Sequence, residues 1–375
     1  MAKKRLLTWH GPTKRWKKQI DGVVHYFGYG KSQNDTKAYK IAEKKYLEFQ
    51  DKRQRSKSIS ISLQETTIGD ICEKYLQTLE QRYCRDDLSA SHLSKVQSCL
   101  KHFLEYLGHR VPFSSVQALI LADYRNHVLG LVANGAGRER ITGWTAKDRL
   151  SQVKALITWA YEMELCEMPR NMRRYTHVEL PEPTPKRFSI EEIRTLWAAA
   201  TPRVRCFMAL GLNCGFGQMD ISDLRVGEID FQDAHIDRRR SKTGVRTRHK
   251  LWPLTLKLLK ELMDPNAEAG DRVFKTTSGK ALVRSEWRDG KEKRSDAVKN
   301  AFWRRMRQLG MDGGRGFYTL RKTGASEIER INPAVTEMYL AHAERGMRRH
   351  YAERNWSALD AALDEMDHVF KLTIE

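Results

Sequence analysis

Several things are scarce or missing in this 375-residue chain, and each absence removes a class of function. Six cysteines (Cys72, Cys84, Cys99, Cys166, Cys206, Cys214) are scattered, and no two have C-x-x-C spacing. That pattern predicts neither a zinc site nor a disulfide framework, and fits reduced thiols in a cytoplasmic protein. Apolar runs are short, Ala118 to Ala122 being among the longest. A membrane span needs roughly 20 residues, so none is expected. The start, Lys3 to His10, is basic with no apolar stretch behind it, and does not read as a secretory signal. The chain contains no G-x-x-x-x-G-K-[ST] loop, no G-x-G-x-x-G after a strand, no H-E-x-x-H and no G-x-S-x-G. No acidic spacing singles out a carboxylate cluster, so neither cofactor nor metal is expected. Acidic residues themselves are in deficit: 47 Asp and Glu face 67 Lys and Arg, a net charge of +20. A basic multidomain protein of this kind most often binds nucleic acid.

The charge is concentrated. Residues 1–60 hold 16 Lys or Arg and 5 Asp or Glu, more than half of the excess. Within them Leu6 to His10, Arg15 to Ile20 and Val23 to Gly28 read as short strands, with Asp21-Gly22 as a hairpin turn. A helix follows from Asn34-Asp35, with Ala38, Ala42, Tyr46 and Phe49 along one side. Lys14, Arg15, Lys17 and Lys18, assigned to one strand, suit a β-ribbon lying in a DNA groove. A lysine-protected edge strand is the plainer alternative.

Residues 54–65 are Ser-rich and read as a first linker. Thr67 with Asp70 resembles a helix start, and helical apolar spacing recurs at Ile68 to Leu79, Ser91 to Leu107, Ser115 to Leu131 and Thr145 to Met163. Three prolines between Leu180 and Pro185 mark a second linker. Ser189 with Glu192 then forms a capping box. The expected class is multidomain, mainly α with α+β parts. The expected domains are a three-stranded sheet plus helix over 1–55, a helical domain over 66–178, and a mixed domain over 186–375.

Metal-free chemistry on DNA needs a nucleophile, cations around a phosphate, and a proton donor for the leaving oxygen. Four segments of the last block meet this in order. They are Gly215-Phe216-Gly217-Gln218-Met219-Asp220-Ile221-Ser222-Asp223-Leu224, Arg240-Ser241-Lys242-Thr243-Gly244, Phe317-Tyr318-Thr319-Leu320-Arg321-Lys322-Thr323, and Tyr339-Leu340-Ala341-His342 with Tyr351 nine residues later. The set resembles the tyrosine recombinase (phage integrase) family, and the domain order resembles that of its arm-binding integrases.

The resemblance implies a site-specific DNA recombinase of a mobile element. Tyr351 would be the nucleophile, forming a 3′-phosphotyrosine link. Arg321 would clamp the phosphate, His342 would sit beside it, and Lys242 would protonate the leaving 5′-oxygen. Double-stranded DNA would be the partner, bound by a homo-tetramer with accessory DNA-bending or directionality proteins. The protein would work in the cytoplasm with the nucleoid.

Two positions depart from the family pattern. Gly217 stands where the first catalytic arginine belongs, with Asp220 at the acidic position after it. Tyr318 stands where histidine is most frequent. Arg203 and Arg205 precede the gap as possible replacements for the missing arginine. A catalytically silent DNA-binding protein and a type IB topoisomerase-like enzyme are the alternative readings. Phe216, Met219 and Ile221 are expected in the core, and residues 284–306 are either a solvated insertion or a DNA-backbone surface. The amphipathic segment Ser357 to Phe370 docks either on its own domain or on a neighbouring protomer.

Overall fold

A computed structural model describes residues 5–20, 22–133, 140–170, 172–180, 186–240, 244–311, 313–342 and 354–373, with backbone alone for 52 and 54–65. The chain divides into two compact units, Met1–Leu88 with His92–Pro181, and Glu182–Glu375 with Ser89–Ser91.

The first unit opens with an antiparallel sheet of β1 (Thr8–His10), β2 (Arg15–Ile20) and β3 (Val23–Tyr29), in the order β1-β2-β3. The β2–β3 turn holds Gly22 at φ 81°, a left-handed conformation that glycine adopts without strain. Helix α1 (Thr36–Glu65) starts at Asp35, whose carboxylate accepts the Ala38 N–H at 3.1 Å. Leu7, Trp16, Phe27, Tyr39 and Ala42 form a small core, with Tyr46 and Phe49 edge-on to Phe27.

Two readings of this block need correction. Lys14 is not in the strand: it precedes β2 with φ 48°. Residues 54–65, expected as an irregular Ser-rich linker, are helical and form the last turns of α1. The stretch contains no Gly or Pro, so nothing in it interrupts the helical hydrogen-bond ladder.

Helix α2 (Ile68–Cys84) begins with the expected reciprocal cap. Thr67 Oγ1 accepts the Asp70 N–H at 3.2 Å, and Asp70 Oδ2 accepts the Thr67 N–H at 2.9 Å. Helices α3 (Ala90–Leu107), α4 (Ala118–Ala133), α5 (Gly143–Glu162) and the short α6 (Met172–Tyr175) follow. Their buried stripes, including Leu93, Phe103, Tyr124, Leu150 and Ile157, are the ones that the apolar spacing marks.

The second unit starts at α7 (Ile190–Ala198), capped by Ser189 and Glu192 as expected. Helix α8 (Pro202–Asn213) is buried along almost its whole length and forms the centre of the core. Helix α9 (Gln218–Asp223) leads into the antiparallel sheet β4 (Ile229–Asp230), β5 (His235–Arg239) and β6 (Arg246–Lys250). Arg238 pairs with Thr247 and Ile236 with His249, and these four side chains face inward. After α10 (Pro253–Leu262), a hairpin of β7 (Val283–Arg288) and β8 (Lys291–Asp296) runs into α11 (Ala297–Gln308). Residues 284–306 are therefore ordered, with Val298, Phe302 and Met306 in the core.

Helix α12 (Tyr318–Ile331) packs on α8 at Gly211, where an added Cβ would lie 3.2 Å from Leu320. Helix α13 (Thr336–Tyr339) and α14 (Trp356–Phe370) complete the unit. Leu359, Leu363, Met366 and Phe370 bury the apolar face of α14 in this same core. Trp252 Nε1 donates to the Leu363 carbonyl at 2.8 Å, and Trp197 Nε1 donates to that of Thr373 at 2.7 Å. The terminal helix thus docks on its own unit. Phe216 and Ile221 are core residues as expected, but Met219 is 43% exposed.

Candidate active site

Arg321 lies in the first turn of α12 and is 3% exposed. Its guanidinium donates to the Gly215 carbonyl and, at 2.5 Å, to the Leu340 carbonyl. One side chain therefore ties together three of the four segments singled out in the sequence. Burial lowers the Arg321 pKa, and the nearby Arg240 charge lowers it further. A guanidinium carries five N–H donors, so two carbonyl bonds leave others for a ligand.

Tyr318, Arg321, Lys322 and His342 line one open cleft of about 490 Å³, together with Arg187. Tyr318 is 46% exposed, its ring 6.0 Å from the Arg321 guanidinium carbon. His342 Nδ1 lies 2.8 Å from Glu337 Oε2. A carboxylate only accepts, so the proton belongs on Nδ1 and Nε2 is the nitrogen left for a substrate. Three of the five catalytic candidates are brought together in this way. Lys242 and Tyr351 lie outside the described residues.

Gly217 precedes α9 with φ −86° and ψ 177°, a conformation open to any residue. A Cβ there would meet Asp220 Oδ2 at 3.4 Å and the Tyr318 ring at 3.7 Å, both ordinary contacts. The Gly217 N–H donates to Asp220 Oδ2 at 2.9 Å. Arg203 and Arg205 do not replace the missing side chain. Arg203 donates to the Lys275 carbonyl at 2.6 Å, and Arg205 to those of Trp197 and Ala198. Among the described residues, neither lines the two cavities that Arg321 lines.

Behind the cleft the sheet contributes two residues that the sequence did not single out. Arg238 donates to the Asp220 carbonyl at 2.7 Å and lies 3.5 Å from Glu228 Oε1. His249 is fully buried, its Nε2 3.1 Å from the Tyr339 carbonyl. Alternation along β6 marks positions 247 and 249 for one face, a signal that could have found His249. Burial pushes the His249 pKa down to about 4, against the hydrogen bond, which raises it. Its ordinary value is 6.5. Between those limits the unfolded chain binds a proton that the folded chain refuses, so stability is lost as pH falls from 6.5 toward 4. His249→Gln keeps a donor for Tyr339 and removes the titration. Unfolding transitions between pH 7 and 4 should therefore fall less steeply for the variant, by an amount on the order of a few kcal/mol at pH 4. Parallel profiles would remove His249 from this role.

Among the described residues no His, Cys, Asp and Glu group could hold a metal ion, and no helix is long and apolar enough to cross a membrane. Residues 186–357 match the Phage integrase family. No curated protein sequence matches the chain. Solved structures of similar fold include a lambda integrase dimer bound to a COC′ core site, with TM-score 0.56 and 16% identity, covering 95% of this chain and 98% of that one. A lambda integrase tetramer bound to a Holliday junction gives TM-score 0.56 and 16% identity over 95% and 99%. The Tn1549 transposon integrase in complex with transposon right end DNA gives 0.52 and 14% over 81% and 99%. Motif order, the gathering of Tyr318, Arg321 and His342, the match over 186–357 and the shared fold agree: residues 186–357 form a domain of the Phage integrase family, in a chain with the fold of these solved integrases.

Proposed function

We propose that the protein is a site-specific DNA recombinase that cuts and rejoins DNA through a 3′-phosphotyrosine intermediate. The observation that carries this reading is the position of Arg321, anchored on two carbonyls at the base of a cleft shared with Tyr318 and His342. Tyr351 gives up its phenol proton to solvent and attacks the scissile phosphorus, the bond from phosphorus to the 5′-oxygen breaks, and Lys242 gives that oxygen its proton and is reprotonated from solvent. A phenol with pKa near 10 needs this cationic surround to react at neutral pH. Arg321 holds non-bridging oxygens through a planar donor fork. His342, oriented by Glu337, and Tyr318 hydrogen-bond the phosphate or the nucleophile. Exchange of energy-conserving ester bonds requires neither nucleotide nor metal.

In this reading the sheet and α1 contact flanking DNA, the helices over 66–178 grip the core site, and residues 186–375 catalyse. A tetramer on DNA aligns two partners, and accessory bending or directionality proteins set the outcome. Arg15 stacks on Tyr29 with its guanidinium carbon 4.1 Å from the ring, and Lys18 Nζ donates to the Leu6 carbonyl at 2.9 Å. Both belong to β2, the central strand and not the edge strand of the plainer alternative, with Arg15 tethered to β3, Lys18 tethered ahead of β1, and Lys17 between them. Replacing Arg15, Lys17 and Lys18 together by Ala should lower the salt slope of duplex binding by about 2–3, one counterion for each lost phosphate contact. An unchanged slope would remove the sheet from the DNA interface.

Gly217 favours a second reading, a silent DNA-binding protein on the same scaffold. Nicked duplex carrying the site that the chain protects from nuclease separates the two. Cleavage releases a short 5′-hydroxyl strand and traps protein on DNA. A covalent adduct that vanishes in Tyr351→Phe supports the enzyme; binding without an adduct supports the silent scaffold.

A further inference from the structure

The family pattern leaves this chain one cation short at the scissile phosphate, because Gly217 has no side chain. Arg240 follows β5 directly, and its backbone is fixed on both sides of the turn. Its N–H donates to the Val245 carbonyl at 2.9 Å, and its carbonyl accepts the Gly244 N–H at 2.8 Å. The side chain runs back to α9, where Nε and Nη2 lie 3.3 and 3.4 Å from the two Asp220 oxygens. Asp220 Oδ2 thus accepts from Arg240 and from the Gly217 N–H. The guanidinium comes from the neighbouring hairpin to the carboxylate that stands next to the empty position.

We propose that Arg240 supplies, from the β5–β6 turn, the phosphate-binding guanidinium that residue 217 lacks, so that Arg240 and Arg321 form the pair of cations at the reacting phosphate. This rests on the recombinase reading above. Three observations carry it. Arg238, Arg240 and Arg321 converge on a cavity of about 10 Å³ with Asp220 as the sole carboxylate among its described lining residues, an excess of positive charge directly behind the open cleft that Arg321 also lines. Arg238 is held inward, on the Asp220 carbonyl, on Glu228 and over the Phe216 ring, whereas among the described residues the Arg240 side chain bonds through two of its five N–H donors, both on Asp220. Arg203, Arg205 and Arg225, the cations within fifteen residues of Gly217 in sequence, are bound to carbonyls elsewhere. Asp220 then positions Arg240, and its burial at 7% side-chain exposure fixes the aim.

Full-length protein and the nicked duplex described above provide the test. Arg240→Gln should slow adduct formation by about 10²–10³-fold, the usual loss for one preorganised donor. Arg240→Lys keeps a cation beside Asp220, and so guards against a defect that is only loss of the buried pair. It too should cut slowly, with an unfolding transition like that of the parent. Gly217→Arg alone should not speed cleavage, since the position is already served. In the Arg240→Gln background it should restore much of the lost rate, because φ at 217 is open to any residue and a Cβ there makes only ordinary contacts. A duplex with methylphosphonate at the scissile position carries no negative charge there, so the Arg240→Gln defect should shrink on it; a merely structural role would leave the defect the same. Parent-like cleavage by both Arg240 variants, or acceleration by Gly217→Arg alone, would overturn the assignment while leaving the recombinase reading intact. No Tyr351-dependent adduct with the parent protein would overturn both.

Discussion

Arg321→Ala should abolish strand cleavage while duplex binding persists. A single phosphate contact contributes little to affinity among the many that a basic chain makes, but the transition state loses a donor fork where charge develops. The loss should be at least about 10²–10³-fold. The structure adds a second consequence. The Arg321 guanidinium satisfies the carbonyls of Gly215 and Leu340, which flank the segments holding Gly217 and His342. Truncation leaves both carbonyls in a buried cavity, so the unfolding transition should fall as well. Arg321→Lys separates the two effects: it preserves a charge near the carbonyls and removes the planar fork. Cleavage should remain lost in the lysine variant while much of the stability returns. Parent-like cleavage in either variant would remove Arg321 from the reaction.

The largest loss of stability should come from Gly324→Ala. Gly324 lies in α12 where the Tyr339 hydroxyl reaches over to donate to the Leu212 carbonyl at 2.6 Å. An added Cβ would stand 2.1 Å from that hydroxyl oxygen and 2.8 Å from the Leu212 carbonyl oxygen. Neither is a flexible chain end, since Tyr339 is wholly buried and Leu212 is backbone of the central helix. Overpacking a core by one methyl costs about 1–3 kcal/mol, and a buried hydroxyl stripped of its partner about 1–3 more. Displacing Tyr339 also moves Leu340, one anchor of Arg321, so cleavage should weaken with stability. Tyr339→Phe in the same background removes the colliding oxygen and should recover part of the loss. A Gly324→Ala transition at the parent temperature would contradict the packing described.

What could be read from the sequence was local or periodic. The caps at Thr67–Asp70 and Ser189–Glu192 involve groups three residues apart, so their chemistry is visible in one window. The strands of the first sheet and the buried helical stripes follow from periods of two and 3.6. The order of the motifs named Arg321, His342 and Tyr318 as candidates, and these three line one cleft. Other features depend on distant segments. Residues 54–65 look like a linker by composition, yet without Gly or Pro they continue α1. Met219 follows the apolar pattern of its motif but faces solvent, because the short α9 buries Asp220, Ile221 and Ser222 instead. Arg240 stands two residues before Lys242 in the same motif. Its approach to Asp220, twenty residues away, comes only from the turn of β5 back toward α9. The docking of α14 is equally remote, being fixed by Trp197 and Trp252.

The central claim is that this chain joins itself to DNA through one tyrosine, and the residue that carries the nucleotide tests it most directly. Full-length protein is trapped on the nicked duplex, digested with protease and nuclease, and the nucleotide-bearing peptide is sequenced by mass spectrometry. The account predicts a phosphodiester on Tyr351, with the DNA attached through its 3′ end and a 5′-hydroxyl on the released strand. Linkage to another residue, attachment through a 5′ end, or a bound duplex with no peptide attached would contradict it.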